Sequence, residues 1–83
     1  KLLVNADAVN GALKVRVTDA KRKVIPGFDY DDCRTFNGDG VSHEITWKEK
    51  SIRSLRGQVI RLEFFLRNAD LYTFRSAKKK ARR

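Results

Sequence analysis

The chain is poor in the residues that would commit it to a special chemistry. Cys33 is the single cysteine among 83 residues, so an internal disulfide framework and a cysteine-rich zinc site are both excluded. His43 is the single histidine, which leaves no histidine cluster for a metal. No apolar run reaches the ~18 residues of a membrane span, so no membrane partner is expected. The opening KLLVNADAVNG has neither the apolar core nor the small-residue cleavage site of a secretory signal. Methionine is absent, and a chain beginning at Lys1 reads as a piece of something longer. Pro26 is the single proline, and it interrupts any strand that would run through it. A domain of this size buries only about 60% of its unfolded surface, which leaves one modest core and no room for separate cofactor and substrate domains.

What remains is globular and basic. Hydrophobic residues make up 41% and charged residues 35%, a composition able to fold rather than one held open by charge. The formal net charge is +9, but residues 1–73 hold 13 basic and 10 acidic side chains, and no acid follows Asp70. The remaining +6 sits in the last ten residues, which end KKKARR. We therefore expect a mildly basic domain over 1–74 and a solvated, flexible basic tail over 75–83.

Periodicity along the chain is that of strands. Leu2 to Asn5 is a short apolar run closed by Gly11. Over Ala12–Asp19, Leu13, Val15 and Val17 alternate with Lys14, Arg16 and Thr18, the period of a half-buried strand. Asp19 to Lys23 reads as a hairpin connection, with a break at Pro26-Gly27. Phe28 to Cys33 reads as a short edge strand. Asn37-Gly38-Asp39-Gly40 is a turn, after which His43, Ile45 and Trp47 share one face, with His43 partly buried. Ser51 to Arg56 has room for a single helical turn. In the clearest strand Ile60, Leu62, Phe64 and Leu66 point inward, and Arg61, Glu63 and Arg67 outward. Asn68-Ala69-Asp70 turns into a last strand, Leu71–Arg75, with Tyr72 and Phe74 on one side. About six short strands at roughly ten-residue spacing predict an all-β chain, a small antiparallel β-sandwich of jelly-roll or immunoglobulin-like character.

Catalytic constellations are weak. Ser42 and His43 are adjacent on a strand and point to opposite faces, so they form no nucleophile–base pair. Glu44 and Glu63 both lie on outward faces, where Arg61 or Lys48 could pair with them, rather than flanking a scissile bond as a glycosidase requires. Asp29, Asp31 and Asp32 lack the glycine and distal glutamate of a calcium loop. Sugar rings stack on exposed aromatics, and Tyr30, Tyr72 and Phe65 are the candidates, with Arg61, Glu63 and Arg67 as hydroxyl partners. Trp47, Phe64 and Phe74 are assigned to the core. Phe65, on an otherwise charged face, is a docking residue, a sugar contact or a scattered exposed aromatic. Neither catalytic residues nor a cofactor is expected.

The strings LLVNADAVNGALKVRV, VIPGFDYDDC, HEITWK and LRGQVIRLEFFLRNADLYTF, in that order from Leu2 to Phe74, resemble the C-terminal β-sandwich region of propeller-type bacterial glycoside hydrolases of the β-fructosidase and sialidase-like groups. That resemblance implies a non-catalytic accessory module of a carbohydrate-active protein, exported or periplasmic, that docks to a catalytic propeller or binds polysaccharide. The predicted docking or carbohydrate surface is Phe65, Tyr72, Tyr30, Arg61 and Arg67, with Leu3 and Phe65 on one patch. The alternative is a small OB-like nucleic-acid-binding domain, which requires a basic stripe joining the tail to Lys14, Arg16 or Arg61.

Overall fold

A computed structural model describes residues 1–48 and 50–76. Among the described residues, five strands and one short 3-10 turn follow one another: β1 (Leu2–Asp7), β2 (Ala12–Asp19), β3 (Asp39–Ile45), the 3-10 turn Ile52–Leu55, β4 (Ile60–Arg67) and β5 (Asp70–Ser76). One sheet has the order β3-β1-β5 and the other contains β2 and β4; all pairings are antiparallel. The two sheets pack face to face as a small β-sandwich. β5 runs through Arg75 and Ser76, the first two residues of the expected tail. The rest of that tail, from residue 77, lies outside the described residues.

Each step along the chain changes sheet: β1, β3 and β5 belong to one, β2 and β4 to the other. Consecutive strands therefore do not pair, contrary to the expectation of short hairpins. The connections arch over the core instead. Gly11 shows why one arch fits, since a Cβ there would land on the Arg67 carbonyl oxygen at the end of β4. A close backbone approach of this kind needs glycine.

The core follows from the alternation. Leu2, Val4 and Ala6 of β1 and Leu13, Val15 and Val17 of β2 are buried, together with Phe28, Phe36, Ile45 and Trp47. Trp47 is fully enclosed; its ring tilts against Phe28 at 5.2 Å, and its Nε1 donates to the Val15 carbonyl at 2.8 Å. The segment Phe36–Gly38 ties the sheets together. Phe36 exchanges backbone hydrogen bonds with Leu13, and Ala8 N donates to Gly38 O.

Three expectations are corrected. Phe28–Cys33 is a pair of tight turns rather than an edge strand: Asp32 N and Cys33 N both donate to Asp29 O, while the Asp29 and Asp32 carboxylates accept from Tyr30 N and Asp29 N. Aspartates that bond to nearby amides favour turns over ladders. Phe74 is half-exposed, not core, because it stands on a strand at the edge of its sheet. His43 shares the Ile45 face but is exposed, with its ring against Phe36 at 4.2 Å. The hairpin after β2 does form locally. Asp19 Oδ1 accepts from Lys21 N and Lys23 N, which holds its carboxyl below the usual range, and Thr18 bridges Val24. Pro26-Gly27 then makes the expected break, a turn closed by Phe28 N to Ile25 O with Gly27 at φ 87°, the geometry that places Pro second and Gly third.

Candidate functional site

The sequence candidates separate into two places. On the outer face of the β2–β4 sheet, Tyr30 comes down from its turn onto Phe65, ring centroids 6.0 Å apart. The Arg16 guanidinium lies over the Tyr30 ring at 4.8 Å. Arg16 Nε also donates to Glu63 Oε1 at 2.7 Å, and Asp29 stands 3.8 Å from its Nη1. The hydrogen bond to Glu63 pushes the Arg16 pKa further up, and burial pushes the Tyr30 hydroxyl up. Arg61 and Arg67 border the same face. Arg61 Nε donates to Ala20 O at 3.3 Å, and Arg67 has no ion pair among the described residues.

Tyr72 belongs to the other sheet, so the predicted aromatic set is divided. Leu3, half-buried on the outer face of the three-stranded sheet, is likewise on the far side of the molecule from Phe65. The single patch expected for Leu3 and Phe65 does not exist.

The second place was missed because the sequence assigned its residues to the core. Residues opposite one another in an antiparallel ladder share a face. Leu66 stands opposite Leu13 and Phe64 opposite Val15; Phe74 stands opposite Val4. Leu13, Val15 and Val4 are buried, so Leu66, Phe64 and Phe74 face inward too. Yet Leu66 is 43% and Phe74 51% exposed, and neighbouring Tyr72 is 60% exposed. Phe64 and Phe74 touch across the gap between the sheets, centroids 5.0 Å apart. β4 and β5 have no further strand beyond them among the described residues. Among the described residues the sandwich is open on this side. A signal for it existed in the sequence: large apolar residues alternate in β4 and β5 without enough remaining strands to cover both.

The other candidates are accounted for by internal contacts. Asp32 pairs with Lys48 at 3.4 Å and Asp29 with Arg16, and no group of three metal-ligating side chains occurs among the described residues. Cys33 is buried, its Sγ accepting from Val15 N at 3.4 Å, and burial raises its thiol pKa. Glu44 and Glu63 lie on the outer faces of different sheets. A hollow of about 260 Å³ is lined by Lys1, Glu44, Ser51 and Arg53, none of them an aromatic on which a sugar could stack. In comparisons with known proteins, no family model matches the chain, no curated protein matches, and no solved structure matches.

Proposed function

We propose that this chain is a non-catalytic interaction module, an accessory β-sandwich that works through its uncovered side between β4 and β5. One observation carries the reading: inward-facing apolar residues, Leu66 and Phe74, are left about half-exposed at two adjoining strand edges. Contiguous apolar surface on a small soluble domain marks a place where something else binds. The resemblance to glycoside hydrolase accessory regions supplies the wider setting within this proposal, a carbohydrate-active parent whose catalytic propeller is one protein able to cover that side.

A glycan-binding role draws support from a different observation. The Tyr30–Phe65 ring pair is flanked by Arg16 and Glu63, an aromatic platform beside groups that can hydrogen-bond hydroxyls. The nucleic-acid alternative has less behind it. Arg16 is engaged by Glu63 and Asp29, which interrupts a basic track between Lys14 and Arg61.

The test is calorimetric titration of the 83-residue chain with a panel of polysaccharides and with single-stranded DNA, at low and physiological salt. A Tyr72→Ser/Phe74→Ser variant is titrated alongside. An interaction module working through its open side is silent towards DNA at physiological salt, and any polysaccharide it binds is lost with that double substitution. DNA binding that persists at physiological salt overturns the proposal, as does polysaccharide binding untouched by the substitutions.

A further inference from the structure

We infer that the β5 edge pairs with β5 of a second copy of this chain, antiparallel about a two-fold axis between Tyr72 and Thr73. This rests on the reading of the uncovered side as an interaction surface and names its occupant. Two-fold pairing is isologous, so every favourable contact occurs twice. With the axis at that point, Asp70 stands opposite Arg75 of the second copy, Leu71 opposite Phe74, and Tyr72 opposite Thr73.

The faces agree with this register. Asp70 is paired with Asp7 and Arg75 with Leu3, both on the outer face of the sheet, while Leu71 is paired with Ala6 and Phe74 with Val4, both inward. Leu71 and Phe74 are three residues apart and would normally face opposite ways. The register shift between Asn5 and Ala6 leaves Tyr72 as an extra residue in β5. That bulge brings Leu71 and Phe74 to one face. Opposite charges then meet on the outer face, and on the inner one half-buried Leu71 meets half-exposed Phe74. Arg75 already donates to Ser42 Oγ at 3.3 Å, which uses one of its five donors and leaves the rest for Asp70.

β4 does not offer the same match. A two-fold axis through Phe64 sets Arg61 against Arg67, and one shifted toward Leu66 needs Glu63, which is held by Arg16. Pairing at β5 joins two three-stranded sheets into one continuous sheet and draws the exposed Phe74 and Tyr72 of both copies together. One strand edge and a few side chains fall below the area of a tight obligate interface, so the dimer dissociates in roughly the tens to hundreds of micromolar range.

Sedimentation equilibrium of the full 83-residue chain at physiological salt, up to about 1 mM, tests this, with circular dichroism confirming that each variant is folded. Asp70→Arg and Arg75→Asp each place like charges opposite one another twice, and each weakens the dimer by roughly tenfold or more. Mixed in equal amounts, the two single variants are complementary to each other, and the dimer returns. A wild-type chain that stays monomeric throughout overturns the inference, as does a dimer indifferent to both substitutions or a mixture that does not re-associate. A monomeric result leaves the interaction reading of the open side standing; salt-resistant DNA binding in the titrations above overturns that reading separately.

Discussion

The two ends of each ladder pair tell different stories. Val15 and Phe64 face one another across β2 and β4, and Val4 and Phe74 across β1 and β5. Each pair shares a face, yet Val15 and Val4 are sealed while Phe64 is half-buried and Phe74 half-exposed. On the sealed side Trp47, Ile45, Phe36 and Phe28 stand over the β1 and β2 side chains. On the open side the Phe64–Phe74 contact spans the sheets. Alternation decides which way a side chain points. Whether it is buried depends on what stands opposite.

That contrast is broken or sharpened by substitutions on each side, and the largest effect belongs to Trp47→Ala. It removes a fully enclosed ring and leaves the Val15 carbonyl without its indole donor, a cost of about 3–5 kcal/mol. Against a total stability of roughly 5–15 kcal/mol the domain is left marginal or unfolded, as urea denaturation followed by circular dichroism will show. Gly11→Ala comes next. Its methyl group collides with backbone at Arg67, which cannot swing aside as a side chain can, and about 1–3 kcal/mol is lost. The same denaturation series reads it.

Phe74→Ser, by contrast, costs less than about 1 kcal/mol, because much of the ring is already in water. A loss matching that of Trp47→Ala would abolish the distinction between the sides. The smallest effect is a pH dependence at His43. Desolvation pushes its pKa below 6.5, so the folded state favours the neutral ring. Its contribution is complete above the unfolded pKa and is lost as pH falls through the lower folded value. Thermal midpoints of the parent therefore drop slightly more than those of His43→Gln between about pH 7 and 5; parallel curves would dismiss it.

Much of the fold was legible where the pattern is local. The period of two in β2 and β4, the Pro26-Gly27 turn and the Ser51-led 3-10 turn over Ile52–Leu55 all depend on neighbours in sequence. Phe28–Cys33 misled because Phe28, Tyr30 and the aspartates alternate, while the Asp29 and Asp32 carboxylates bond to their own backbone. The site was harder to read. The sequence candidates Tyr30 and Phe65 meet, but Tyr72 of the same set lies on the other sheet. Alternation alone makes Phe74 a core residue, and only the shortage of strands left to cover β4 and β5 marks it as exposed.

The alternation of sheets has a kinetic consequence. Among the described strands none finds its partner next door: Val4 must meet Phe74, Val15 must meet Phe64, and Leu2 must meet Ile45. The entropy of closing long loops comes due before any regular ladder forms, which slows folding and makes it concerted. Stopped-flow refolding followed by Trp47 fluorescence should fall in roughly the millisecond-to-second range of sandwiches rather than the microseconds of helical bundles. A chain ending at Arg67 would hold β1 with its β5 neighbour missing and that edge bare.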